Sequence, residues 1–358
     1  MPLTTQLFNG SITNSEAILA SLRSDVLPQA LNILNSESLP VQFPIFREDI
    51  IPTNQRNLTD VRTRMGMLLE YELCKAIVTL LPEEVRNEIM LTYVIANKYP
   101  DLAFRARNGA MGIRFEIKAI ETIAEEKSAN FDTLIKDIRQ GTDFVVVLVW
   151  EWEEESVRQV KWPCVHRIFV MDAYHLAIMR DAYWLNNPPS NTGDGRQGFD
   201  LCFGINSSVS GFNREEGNYG KLMRVFDSEY ERFLPEQVRS GSTLQTYYEF
   251  AKDTIHLGLN KIAQSIGVAF TEEAASIAIT SAFYVSITAE KDGQKLLIIG
   301  DDGLPKLSNV LPLMREVSAS KAILLNGKFN WKAIDVDGAV LAQDRKPATA
   351  IEWVKTIS

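Results

Sequence analysis

The sequence predicts an α/β protein in which a mixed central sheet is flanked by helices. Three observations carry this expectation. Apolar residues have helical spacing over about Asp60 to Leu81. The segments "LAFRAR" and "IRFEIKAI" alternate apolar and charged residues with period two. "FVVVLVW" is a continuous apolar run of the kind found in strands buried on both faces.

Taken in order, "SEAILASLRSDVLPQALNILN" (15–35) has helical spacing with a proline interruption, and the three prolines of "SESLPVQFPIFREDIIPTNQRN" make it an extended connection. The long amphipathic helix from Asp60 to Leu81 ends at Pro82, which has no backbone N–H to continue it. "PEEVRNEIMLTYVIANKYP" is expected as a further short helix. The Asn-Gly of "RNGAMG" joins the two period-two segments as a β-hairpin. "NFDTLIKDIRQG" is then expected as a helix ending at Gly141, with "TDFVVVLVWEW" as the central strand. "VRQVKWPCVHRIFVMD" follows as a strand joined through the acidic turn "EEES", and "AYHLAIMRDAYWL" as a helix.

From Asn186 to Gly220 the chain is rich in Asn, Ser, Gly and Pro, which fits a long loop or a set of short strands. "GSTLQTYYEFAKDTIHLGLNKIAQSIG" reads as helical, and "AFYVSITAE" and "QKLLIIG" as strands. "GDDGLPKL" lacks the lysine-serine ending of a phosphate-binding loop and is expected as a turn.

With 358 residues, 46% hydrophobic and 23% charged, the composition is that of a folded globular protein and excludes disorder. The apolar runs are much shorter than the roughly 20 residues needed to cross a bilayer. "MPLTTQLFNGSITNSEA" has neither the basic segment nor the apolar region of a secretory signal, so a cytoplasmic protein is expected. Cys74, Cys164 and Cys202 are widely separated and lack metal-ligand spacing, which predicts a reducing compartment and no zinc site. His166, His175 and His256 show no nucleophile partner or metal spacing, and structural or surface roles are expected for them. The net charge of −9 counts against non-specific nucleic-acid binding. A local basic cleft is still compatible with it, because Arg56, Arg62, Arg64, Arg105, Arg107 and Arg114 are concentrated in one part of the chain.

The chemistry lies in "YPDLAFRARNGAMGIRFEIKAIE". In "IRFEIKAI" the side chains of Ile113, Phe115, Ile117 and Ala119 share one strand face, and Arg114, Glu116 and Lys118 share the other. The hairpin brings Asp101 within side-chain reach of Glu116, since neighbouring strands lie about 5 Å apart. Two carboxylates converging in a cleft repel unless a cation lies between them, and oxygen ligands with open positions suit Mg²⁺. A lysine beside that ion can orient and help deprotonate an attacking water, and the reaction that uses all three parts is phosphodiester hydrolysis.

Pro100-Asp101 followed after the hairpin by Glu116-Ile117-Lys118 resembles the PD-(D/E)XK nuclease superfamily, which includes most type II restriction endonucleases. The resemblance spans Arg62 to Trp152. It implies a restriction-endonuclease-like core of helix, three-stranded meander, helix and strand, with Asp101, Glu116 and Lys118 as catalytic residues and Mg²⁺ as cofactor. The family often places an acid on the preceding helix, where Glu70 lies with Gly66, Leu73 and Ile77, while Glu72 falls nearer the solvent side with Leu68, Lys75 and Thr79. Glu70 is therefore the expected third metal ligand beside Asp101 and Glu116. Gln140 resembles a polar residue that supports the lysine or a substrate phosphate in some relatives.

The expected organisation is a helical and extended segment over 1–59, the nuclease core with inserted loops over 60–235, and a helical and mixed α/β region over 236–358 for DNA recognition or dimer contacts. The resemblance implies a type II site-specific deoxyribonuclease acting on double-stranded DNA as a homodimer, with a companion DNA methyltransferase and no membrane partner. Its alternatives are a repair or defence nuclease that reads structure or modified bases, and a non-catalytic DNA- or protein-binding module of the same fold.

Overall fold

The structure, a computed structural model, describes residues 8, 14–36, 55–93, 99–107, 109, 111–122, 130–155, 160–186, 199–200, 204–205, 222, 228–251, 253, 285–291, 294–301, 306–326, 331–344, 349–350, 352–353 and 356. The chain divides into two units. The first comprises 1–121, 129–220 and 233–246; the second comprises 122–128, 221–232 and 247–358.

In the first unit the helices α1 (Ser15–Ser21) and α2 (Leu27–Leu34) are joined by a π-helical turn over Leu22–Val26. The expected proline interruption is absorbed there, because Pro28 falls in the first turn of α2, where its missing N–H is tolerated. The long helix α3 runs over Gln55–Leu80 and the short α4 over Glu83–Glu88. Five strands follow: β1 (Ile89–Tyr93), β2 (Leu102–Ala106), β3 (Met111–Glu121), β4 (Asp143–Glu155) and β5 (Val160–Asp172). The helix α5 (Ala173–Asn186) comes next, then the short α6 (Glu236–Arg239).

The strands form one sheet in the order β1-β2-β3-β4-β5. β1, β2 and β3 make an antiparallel meander, β4 is parallel to β3, and β5 is antiparallel to β4. The protein is thus α/β, with a mixed five-stranded sheet flanked by helices.

α3 covers one face. Met65, Leu69, Leu73, Ala76 and Ile77 are buried and share a core with Ile113, Phe115 and Ile117 of β3 and with Phe144, Val146 and Leu148 of β4. α5 lies against β4 and buries Leu176, Ala177 and Met179, so every residue from Phe144 to Trp150 is buried. This accounts for the uninterrupted apolar run. Gly112 admits a close backbone approach, since a Cβ there would stand 2.8 Å from the Phe8 carbonyl oxygen.

Two expected helices are corrected. In "PEEVRNEIMLTYVIANKYP" only Glu83–Glu88 is helical, and Ile89–Tyr93 is the strand β1, which completes the meander by pairing Ile89 with Ala106 through to Tyr93 with Leu102. The run is short and rich in large apolar residues, so its period is ambiguous until β2 supplies backbone partners. Ile89 is buried and Met90 is exposed, as a strand requires.

In "NFDTLIKDIRQG" the only helical turn is a 3₁₀ turn over Ile135–Asp137. Side chains take the backbone groups that a helix would use. Arg180 Nη1 donates to the carbonyls of Phe131 and Thr133 at 2.9 and 2.8 Å, and Arg114 Nη2 donates to that of Asp137 at 3.3 Å. Asp143 Oδ2 accepts from the Arg139 N–H at 2.7 Å.

Asn186 to Gly220 lies mostly outside the described residues, which here include a two-residue ribbon, β6 (Phe199–Asp200) with β7 (Gly204–Ile205). Residues 37–54 of the extended connection expected before α3 and 302–305 of "GDDGLPKL" also lie outside them, whereas 55–57 of that connection are helical and belong to α3.

The second unit contains β8 (Val285–Lys291), β9 (Gln294–Asp301), the helix α7 (Leu307–Glu316), β10 (Ala319–Asn326), β11 (Trp331–Asp335) and β12 (Val340–Asp344). Its sheet runs β12-β11-β10-β9-β8, with β9 and β10 parallel and the other pairs antiparallel. α7 packs Val310, Leu313 and Met314 against Leu297, Ile299, Ala322 and Leu324. Among the described residues no helix is long and apolar enough to cross a membrane.

Candidate active site

Asp101 immediately precedes β2. Since Leu102 pairs with Phe115, Asp101 falls beside Glu116 in the register. Its Oδ2 accepts a hydrogen bond from the Ile117 N–H at 2.7 Å. Lys118 Nζ donates to Glu116 Oε1 at 2.7 Å and lies 4.0 Å from Asp101 Oδ2. The structure thus brings the three charges together, with side chains 26% exposed at Asp101, 11% at Glu116 and 18% at Lys118.

Enclosure changes how these groups titrate. Burial is the chief cause that raises the Glu116 carboxyl above its ordinary value; the Asp101 and Asp132 charges add to it, and the Lys118 ammonium opposes it. For Lys118, burial is the largest influence and acts downward, but the charges of Glu116, Asp101 and Glu70 together outweigh it and raise the ammonium. Lys118 is therefore protonated at neutral pH. Glu116 Oε2 is buried and accepts no hydrogen bond among the described residues. A buried carboxylate oxygen without a donor is costly, so this atom favours a cation or a proton.

Glu70 is half-buried at the edge of the α3 face that carries Leu69 and Leu73. Its charge raises Lys118 and also contributes, after burial, to raising the Cys74 thiol to about 11. It therefore stands on the site's side of the helix. Glu72 pairs with Lys75 at 3.0 Å and is only 14% exposed, more enclosed than the helical wheel suggests. Asp101, Glu116 and Glu70 are not a tight cluster of three: among the described residues, the group of ligand-type side chains whose atoms all lie within 4.8 Å is Glu153, Cys164 and His166. Gln140 is exposed in the turn before β4 and makes no hydrogen bond to Asp101, Glu116 or Lys118. It is a turn residue, since the helix expected to present it does not form.

Sequence reasoning missed the brace beside the site. Asp143 is fully buried and receives Arg114 Nε on Oδ1 at 2.6 Å, with Arg114 Nη2 and the Tyr99 hydroxyl on Oδ2, the latter at 2.7 Å. The Arg114 guanidinium also lies 5.2 Å from the Tyr99 ring centroid. Tyr99 is two residues before Asp101, so this cluster anchors the chain that delivers the carboxylate. A usable signal was Asp143 itself, a charge at the start of a strand buried on both faces, with Arg114 on the same face of β3 as Glu116.

Asp143→Ala leaves Arg114 enclosed without its partner, and removing one member of a buried pair costs about 3–5 kcal/mol. Urea unfolding should show this loss as a lower midpoint at unchanged slope. Tyr99→Phe, which removes one hydrogen bond to a charged group, should cost less.

Comparison with protein-family models, with curated proteins and with solved structures finds no match to this chain.

Proposed function

We propose that this protein is a Mg²⁺-dependent endonuclease of the PD-(D/E)XK kind, a type II restriction endonuclease that hydrolyses double-stranded DNA in the cytoplasm. The observation that carries the proposal is the convergence of Asp101, Glu116 and Lys118 where the antiparallel meander meets parallel β4, with Glu116 Oε2 unpartnered. The order of α3, the meander and β4 agrees with such a core, although the helix expected between β3 and β4 is only a 3₁₀ turn among the described residues.

The donor set fits a hard cation. Asp101 and Glu116 offer carboxylate oxygens, and Glu70, whose charge acts on Lys118, would contribute through water. Bound there, Mg²⁺ would stabilise charge developing on a phosphoryl oxygen and favour deprotonation of a water. Lys118 contributes a donor beside both carboxylates, able to orient the attacking water or a non-bridging phosphate oxygen. Once a cation has neutralised the carboxylates, less charge opposes the downward effect of burial on Lys118, so the lysine more readily gives up a proton and can serve as a base.

The second unit and the N-terminal helices supply the length needed for sequence readout and dimer contacts, and a two-fold dimer matches a palindromic site. A companion DNA methyltransferase belongs to this reading. The test is to incubate unmodified plasmid and phage DNA with the full-length protein in Mg²⁺ and in EDTA. Discrete fragments in Mg²⁺ alone are expected. Cleavage restricted to modified DNA would instead favour the modification-reading alternative, and binding without cleavage the non-catalytic one.

A dependent prediction concerns α3. Glu70→Gln should raise the Mg²⁺ concentration needed for half-maximal cleavage, because it removes a charge that acts on the site. Glu72→Gln should change little, since its pair with half-exposed Lys75 is worth about 0–1 kcal/mol and Glu72 is not among the charges that act on Lys118. Mg²⁺ titration of both variants checks this.

A further inference from the structure

The hairpin β4–β5 carries a second group of ligand-type side chains, separate from the three charges above. Glu151 pairs with Cys164 and Glu153 with Trp162 across the hairpin. The ladder pairs Val149 with Arg167 but Trp150 with Val165, so His166 is the extra residue of a β-bulge. Bulges re-aim side chains. Asn35 fixes this one from outside the ladder: its Nδ2 donates to the Val165 carbonyl at 2.6 Å and its Oδ1 accepts from the Val165 N–H at 3.0 Å.

One carboxylate oxygen of Glu153, Cys164 Sγ and one imidazole nitrogen of His166 consequently lie within 4.8 Å of one another. Cys164 is buried, and Glu153 and His166 are half-buried. His166 Nε2 is itself buried and lies 2.5 Å from Glu151 Oε1, yet without the alignment of a hydrogen bond.

We propose that Glu153, Cys164 and His166 form a binding site for a thiophilic divalent cation, Zn²⁺ by its ligand chemistry, with Glu151 in reach of the fourth position. A thiolate, an imidazole and a carboxylate are a zinc set and not a magnesium set. Tetrahedral coordination at ordinary zinc bond lengths needs ligand atoms about 3.5 Å apart, a contraction that side-chain rotation can provide. Because the ligands come from both strands, the ion would clip the hairpin together, so binding free energy becomes stability of the folded state.

The test uses full-length protein stripped with EDTA and dialysed, then titrated with Co²⁺ as a spectroscopic substitute for Zn²⁺. One equivalent should bind with a thiolate-to-cobalt charge-transfer band and tetrahedral d–d absorption, and Zn²⁺ should displace it, because a tetrahedral site with a thiolate ligand suits Zn²⁺. Cys164→Ser should remove the charge-transfer band. Cys74→Ser and Asp101→Ala should leave it unchanged, which makes the result independent of the nuclease reading. If Cys164→Ser does not fold, Glu153→Gln and His166→Gln at half-buried positions carry the test, each expected to weaken Co²⁺ binding at least about tenfold. No charge-transfer band in the wild type, a band that survives Cys164→Ser, or undiminished affinity in both other ligand variants would overturn the site.

Discussion

Asp101→Ala and Glu116→Ala are each expected to abolish Mg²⁺-dependent DNA cleavage while the protein still folds. Each removes one of the two carboxylates beside Lys118, and neither belongs to the apolar core that α3 builds on the sheet. A readout other than cleavage separates lost cation binding from lost folding. Mg²⁺ should raise the melting temperature of the wild type, since a ligand at a hundred times its Kd adds about 2.7 kcal/mol to stability. It should raise that of Asp101→Ala far less.

The raised Glu116 carboxyl fixes the pH dependence. Without a cation, its proton-linked stabilisation is present below the unfolded-state value and is lost as pH rises through the higher folded-state value. Cation binding requires the deprotonated carboxylate, so the Mg²⁺ concentration for half-saturation should fall as pH rises through that same interval. Isothermal titration at several pH values measures it. An unchanged Mg²⁺ requirement would remove Glu116 from the ligand set.

Lys118→Ala is expected to slow cleavage at least about a hundredfold, the range for losing one positioned acid-base or electrostatic group. Nζ is enclosed, donates to Glu116 and lies near Asp101, so its loss leaves two carboxylates close together with no ammonium between them. The variant should consequently bind Mg²⁺ no more weakly than the wild type, because the cation no longer competes with a fixed positive charge. Single-turnover cleavage at saturating Mg²⁺ isolates the effect on the chemical step. If DNA binding falls while that step keeps its rate, Lys118 is a phosphate contact.

Much of the fold was readable because local pattern and tertiary structure agree. The seven consecutive apolar residues Phe144 to Trp150 require cover on both faces, and α3 and α5 provide it. Period two put Glu116 and Lys118 on one face, and the antiparallel pairing of β2 with β3, expected from the Asn-Gly signal, brings Asp101 to them. β1 was not readable, since Ile89–Tyr93 is too short to declare a period and becomes a strand by pairing with β2. The segment 130–141 reads as a helix in the sequence, but Arg180 and Arg114, remote in sequence, and Asp143, just beyond its end, capture its backbone groups. The same limit hid the grouping of Glu153, Cys164 and His166: its ligands meet across a hairpin and a bulge, and linear spacing records neither.

The most direct test of the central claim is cleavage of unmodified phage DNA by the wild type and by Glu116→Gln at equal Mg²⁺ and matched melting temperature. Glutamine keeps the size of the side chain and an oxygen to accept from Lys118, and removes only the negative charge. Mg²⁺-dependent cleavage by the wild type and none by Glu116→Gln is the predicted result; equal cleavage by both would contradict a hydrolytic site built on Asp101, Glu116 and Lys118.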